Sequence, residues 1–225
     1  MSVITISREF GSEGDTIAQK TAKALGYHFV DKHFIGDILA QYGYVEFDKA
    51  YQTLPTFWER FDAQRNKQRD VMVRMLNQVI QAVAHHGDVV ILGRSGFEVL
   101  SGFADVLHVR LQAPFAVRVG RVMESQNLTF DQADALVRES DKVRLAFVEE
   151  FYKVPWGAIN AFDLVINTDK IAPTLAVDWI LDAVNSHKFE PITDKSTAAI
   201  EVDRILADAV SDELGCHKSH RLVTA

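Results

Sequence analysis

Residues 3–26 read VITISREFGSEGDTIAQKTAKALG. An apolar tetrapeptide, Val3 to Ile6, runs into a glycine-bearing turn, and the turn runs into a segment where Ile17, Thr21/Ala22 and Ala24/Leu25 recur at helical spacing. The pattern is strand, turn, helix, with Gly26 placed to end the helix because glycine accepts the left-handed conformation of a helix stop. A turn that feeds a helix N-terminus points backbone N–H groups outward and attracts anions. This one has no lysine or arginine between Glu9 and Gln19 and carries Glu13 and Asp15 instead. It can be a phosphate cradle, an altered cradle or a plain turn, and taken alone the plain turn is the better reading, since many strand-to-helix connections contain Gly and Ser.

Outward from this unit the chain keeps alternating short apolar runs with longer helical patterns, the mark of a sheet built from crossover units. Strands are expected at Val3 to Ile6, His28 to Val30, Val89 to Leu92, Val106 to Leu111 and Leu164 to Asn167. The first, third and fifth are almost wholly apolar, as strands covered on both faces are, so the sheet is expected to be parallel. Helices are expected at Thr16 to Leu25, about Thr56 to His86, Phe115 to Ser125, Phe130 to Phe151 and Ala172 to Val184. In the long one Val71, Met72, Met75, Leu76, Val79, Ile80 and Val83 form a single core-facing stripe. His85 and His86 close it before Gly87, where positive charge suits a helix C-terminus. A polar, proline-containing stretch from about Ser186 reads as a linker, followed by one amphipathic helix over Thr197 to Leu214 that could serve as a docking or partner surface.

At 225 residues, 48% of them apolar, the chain can build one core and is too short for two large domains. Its formal charge of −7, with no basic run, argues against a general nucleic-acid binder. Cys216 is the only cysteine, which fits a reducing compartment and excludes a cysteine metal cluster. No basic segment followed by a long apolar one opens the sequence, and no apolar run approaches the roughly 20 residues that span a bilayer. The expectation is a soluble protein of the cytoplasm.

The ordered sum of pieces resembles the cytidylate kinase-like family of P-loop nucleoside monophosphate kinases over about Ser2 to Val184. ITISREFGS with IAQKTAKALG is similar to the family's opening; FVDKHFI to its second strand and acidic turn; VVILGRSG to its third strand with a Gly-Arg pair. FAVRVGRVMES, ESDKVR, YKVPWG and FDLVINTDK follow in the family's order. The resemblance implies a three-layer α/β P-loop kinase fold with a parallel sheet of about five strands, in a domain over 1–185. Within that domain it implies a helical acceptor-binding insertion over about 36–86 and an arginine lid over about 118–144, with 186–225 as appendage.

Phosphoryl transfer asks a protein mainly to hold phosphates in line and neutralise their charge. By resemblance Gly11, Ser12, Gly14 and Thr16 form the donor-phosphate loop for ATP, with the Thr16 hydroxyl near Mg²⁺. Asp31 lies between acceptor and metal, Arg94 holds the acceptor phosphate, and Arg118 and Arg121 are lid arginines. Asp141 and Arg144 bind the acceptor nucleotide, and Asn167 and Lys170 flank the donor base. Each has a structural alternative: Asp31 can cap the following helix, Arg118 and Arg121 share a solvated helix face, and Asp141 with Arg144 can be a surface ion pair.

The loop departs from the family pattern. The ungapped register puts Gly14 where P-loop kinases carry lysine, Asp15 where this branch carries a basic residue, and Glu13 in place of a glycine. One carboxylate about 6 Å from one phosphate charge costs roughly 3 kcal/mol at an effective dielectric near 20, or about a hundredfold in binding. Arg8 or Lys20 can supply the charge, a metal can bridge the acids and the phosphates, or phosphoryl transfer has been abandoned. The reaction implied is ATP γ-phosphoryl transfer to a nucleoside monophosphate, CMP first. Alternatives are an inactive nucleotide-binding or protein-interaction module, and a kinase for another small acceptor. A nucleotide is the expected partner, with no nucleic acid or membrane, and with a homo-oligomer or other contact through the C-terminal helix.

Overall fold

In the computed structural model of the chain, residues 2–44, 63–155, 157–186 and 195–215 are described. Five parallel strands form one sheet: β1 (Val3–Arg8), β2 (His28–Val30), β3 (Val89–Leu92), β4 (Val106–Gln112) and β5 (Leu164–Asn167), in the order β2-β3-β1-β4-β5. All five expected strands and their parallel pairing are present. The register sets Val3 opposite both Val89 and Val106, and Ile6 opposite Leu92 and Val109, with β1 in the centre.

Side chains of a strand alternate between faces, and the sheet follows this closely. Val3, Val89 and Ile91 point into one core, shared with α2 (Lys32–Gln41), α3 (Ala63–His86) and α8 (Arg204–Glu213). Ile4, Ile6, Val90 and Leu92 point into the other, against α1 (Gly14–Leu25) and α7 (Pro173–Ser186). Each fully buried Val, Leu or Ile contributes about 1.5–3 kcal/mol, so two apolar layers fix which face each helix covers. The three-layer α/β expectation holds. α4 (Gly96–Val99) is a single turn after β3. α5 (Phe115–Gln126) and α6 (Phe130–Tyr152) make a third, smaller cluster from Val119, Val122, Ala133 and Val137, against which Phe10 packs.

Helix ends follow local chemistry. α1 stops at Gly26, which adopts φ 69° as the sequence suggests. α6 starts from a capping box in which Thr129 and Gln132 satisfy each other's backbone amides. The long helix is seen from Ala63; its expected start at 56–62, the insertion residues 45–62, Trp156 of YKVPWG, the linker residues 187–194 and the tail from 216 lie outside the described residues.

The C-terminal segment differs from the single helix expected over Thr197 to Leu214. Asp105, just before β4, accepts hydrogen bonds from Thr197 N (2.8 Å), Thr197 Oγ1 (2.7 Å) and Ser196 Oγ (3.0 Å), which holds Thr197–Ala199 as a short 3₁₀ turn. Asp203 then accepts from the amides of Ile205 and Leu206 and starts a separate helix, α8. Leu206 and Val210 of α8 are buried in the chain's own core beside Ile80 and Val83, while Ile205 is exposed.

Candidate active site

β1 hands the chain to β2 on one side of itself, while β4 hands it to β5 on the other. In parallel α/β sheets, ligands bind at the carboxyl ends of strands where connections part in this way. A cavity of about 500 Å³ opens there, floored by the ends of β1 and β3, walled by α6 through Leu136, Glu139, Ser140 and Val143, and edged by Lys32 at the start of α2. Arg8, Lys32, Arg94 and Arg144 face the acids Asp15 and Glu139 across it. In a chain of net charge −7 this is a local reversal of sign, and a concave cationic pocket with apolar walls draws anions.

The turn beside it, residues 9–13, is built around arginines. Gly11 has φ 81°, and a Cβ there would sit 2.8 Å from the Arg118 carbonyl oxygen, so only glycine fits. Ser12 is fully buried and donates from Oγ to Glu9 O at 2.8 Å. Glu13 takes the N-cap position of α1 in the left-handed region, φ 60°, and makes no side-chain capping bond, so it leaves the first-turn amides of α1 without a side-chain acceptor. Its carboxylate lies 3.2 Å from Arg121 Nη2. Asp15 is 69% exposed and pairs with Arg8 Nη2 at 3.7 Å. Both acids of the turn therefore have a cation opposite. Lys20 and Thr16 are exposed, and Lys20 does not line the cavity.

Arg8 crosses the site. A Cβ on Gly14 would lie 2.6 Å from Arg8 Cβ and Cγ, and one on Gly93 would lie 2.1 Å from Arg8 Nη1. Glycine at these two positions makes a slot for one arginine side chain between the turn and the β3 end. After β3, Gly93, Arg94 and Ser95 have φ 75°, 52° and 57° in succession. A non-glycine residue held there costs roughly 1–2 kcal/mol, and such strain gathers at functional sites.

Of the residues singled out in the sequence, Arg8, Arg94 and Arg144 line the cavity. Arg144 also bonds Ser140 and lies over the Phe10 ring at 5.9 Å. Asp31 caps α2, its Oδ1 accepting from His33 N (2.8 Å) and Phe34 N (3.2 Å). Asp141 faces Arg118 at 2.9 Å, not Arg144. Arg118 is buried, holding Ala113 O and Phe10 O as well, and Arg121 bonds Thr168 O at 2.6 Å and Thr168 Oγ1 at 3.0 Å. Asn167 accepts from Asp169 N at 3.0 Å, and both it and Lys170 are exposed.

Sequence reading missed the residues that pin the turn. Glu9 reaches Arg110 (3.6 Å), Arg118 (3.3 Å) and the Ala113 amide (3.1 Å). Burial pulls the Arg110 guanidinium below its ordinary pKa, while Glu9 and Asp141 act against that. Thr168, 1% exposed, donates to Ser12 O at 3.1 Å and ties the loop after β5 to the turn. An arginine between Val109 and Leu111 in the strand VLHVRLQ was the available signal for a buried acid partner.

A sequence model described as the cytidylate kinase-like family matches residues 3–170. The chain belongs to that family. Among curated relatives, a cytidylate kinase of Ignicoccus hospitalis is 26% identical over 180 residues, which cover 80% of this chain and 97% of that one. A cytidylate kinase of Halobacterium salinarum is 29% identical over 190 residues, covering 84% and 92%. Among solved structures, an uncharacterized protein from Eubacterium ventriosum has a TM-score of 0.65 at 21% identity, covering 83% of this chain and all of that one. A sugar kinase from Janibacter sp. has a TM-score of 0.51 at 17% identity, covering 82% and 95%. These two likenesses concern the fold. Family and fold together are those of nucleoside monophosphate kinase-like phosphotransferases.

Among the described residues, no group of three or more His, Cys, Asp or Glu side chains could hold a metal ion, and no helix is long and apolar enough to cross a membrane. Thr16 is exposed, and Asp31 takes its two α2 amides through Oδ1 alone. A hydroxyl and a carboxylate are oxygen donors of the kind Mg²⁺ takes alongside waters and substrate phosphates.

Proposed function

We propose that the protein transfers the γ-phosphoryl group of ATP to a nucleoside monophosphate, with CMP as the first acceptor to test. The observation that carries this is the convergence of Arg8, Arg94, Arg144 and Lys32 on one cavity at the strand ends, beside the glycine turn and the uncapped N-terminus of α1. In this reading the α1 amides and Gly11, Ser12 and Gly14 receive the donor phosphates, and Arg94 with Arg144 holds the acceptor. Arg8, lying between them, neutralises the charge that the loop itself leaves unopposed. Mg²⁺, when bound with the nucleotide, would be held by Thr16 and Asp31 and would neutralise phosphate charge. Phe10, Phe97, Leu136 and Val143 supply the apolar walls that keep water from the transferring group.

A second reading is favoured by a specific observation. Glu13 engages Arg121, Asp15 engages Arg8, and Arg118 is held by Glu9 and Asp141, so much of the positive charge near the turn already has an acid opposite. That suits a nucleotide-binding module that holds an acceptor-like anion without ATP. Separate calorimetric titrations with ATP–Mg²⁺ and with CMP distinguish the two. Binding of both supports the kinase; binding of CMP alone supports the module.

A further inference from the structure

We infer that the inner end of the cavity is a phosphate subsite completed by the Ser95 hydroxyl, which donates to the phosphate of the acceptor together with Arg8 Nε. This deepens the acceptor assignment of Arg94 and rests on it. Ser95 is 5% exposed, its Oγ is buried, and it makes no hydrogen bond. Arg8 Nε is likewise buried without an acceptor. Both residues line the cavity, with Ser95 directly after Arg94, which lines it too.

A buried hydroxyl without a partner costs about 1–3 kcal/mol, and Ser95 bears left-handed strain at φ 57° besides. Glycine at this position would avoid both costs. Two unmet donors, one of them cationic, next to Arg94 and its strained turn, match a tetrahedral oxyanion that accepts several hydrogen bonds at once. An apolar ligand group would leave both donors unmet, and an ammonium group would meet the charges of Arg8 and Arg94. The ligand chemistry is therefore a phosphate monoester or free phosphate.

The test uses the full chain, wild type and Ser95→Gly, titrated by calorimetry with CMP, with cytidine and with inorganic phosphate. Glycine adopts the left-handed turn without strain, so the variant's Tm is expected to hold or rise. Loss of one hydrogen bond to a charged group lowers affinity about tenfold. A tenfold fall for CMP with cytidine unchanged supports an acceptor phosphate in the subsite; a fall for inorganic phosphate alone supports a free anion there. An equal fall for CMP and cytidine, no fall for any ligand, or no binding of either phosphate by the wild type overturns the inference. Turnover is scored apart from binding. Phosphate binding that depends on Ser95 without ATP-dependent transfer removes the kinase reading and keeps the subsite. Transfer to CMP with an unchanged KM in Ser95→Gly does the reverse.

Discussion

Asp15→Asn separates the two roles that acids in the turn can play. Arg8 Nη2 and Asp15 Oδ1 are 3.7 Å apart, with side chains 17% and 69% exposed. Two charges near 4 Å attract by about 1 kcal/mol in water, and measured exposed pairs fall at about 0–1 kcal/mol, so the substitution leaves stability almost unchanged. Its effect on an anion is larger. A carboxylate about 6 Å from a phosphate charge repels it by roughly 0.7 kcal/mol at the dielectric of water and roughly 3 kcal/mol at 20. The exposure of Asp15 favours the lower end. The expected gain in affinity for CMP and for ATP–Mg²⁺ is about three- to tenfold, partly because Arg8 loses its competitor. Calorimetry at low and high salt reads it, and the gain shrinks as salt rises. Unchanged or weaker binding at low salt, with Tm unaltered, would refute the argument that these acids oppose phosphate.

Glu9→Gln is expected to be far more damaging, because it removes the carboxylate charge that both Arg110 and Arg118, with side chains 4% and 6% exposed, approach. Unpairing a buried charge costs about 3–5 kcal/mol, which lowers Tm by roughly 10 °C in a chain of this length; a shift within about 2 °C would show that the cluster contributes little. Stability also depends on pH. Burial holds the His108 imidazole below its ordinary value of 6.5, with Asp163 opposing, and burial and then His86 do the same to His28, with Asp88 opposing. The unfolded chain thus binds more protons below that value. The stabilisation is complete above about pH 6.5 and falls as pH drops toward the folded values, so the urea midpoint is expected to be lower at about pH 5.5 than at about 7.5. Replacing His108 by Gln should flatten that fall; a midpoint that rises on acidification would contradict it.

The strands and most helices were legible because period and apolarity belong to short windows: VITI, VVIL and LVIN read as buried strands by themselves. Gly26 and the Thr129 cap were local signals too. The C-terminal helix was misread because Ile200 fits the apolar stripe, while the break is made by Asp105, which is distant in sequence, and by Asp203 taking two amides. The site was half legible. Arg94, expected from its Gly-Arg neighbourhood, and Arg8, expected as a stand-in for the absent cation, both line the cavity. The partners were not legible. Asp141 looks paired with Arg144 along one helix face, yet Arg118 of α5 comes closer across the α5–α6 contact. Glu9, Arg110, Thr168 and Ser95 carry their meaning only through long-range contacts, or through the want of one, which no spacing encodes.

In the proposed reaction Arg8, lodged between Gly14 and Gly93, provides the charge that the loop lacks. The most direct test of this role is product formation from ATP–Mg²⁺ and CMP by the wild type and by Arg8→Met, which keeps an unbranched apolar stem beside Gly14 and removes the cation. Turnover by the wild type and a loss of about a hundredfold or more in the variant are expected, the size seen when one preorganised donor to a transition-state oxyanion is removed. A variant as active as the wild type would contradict it.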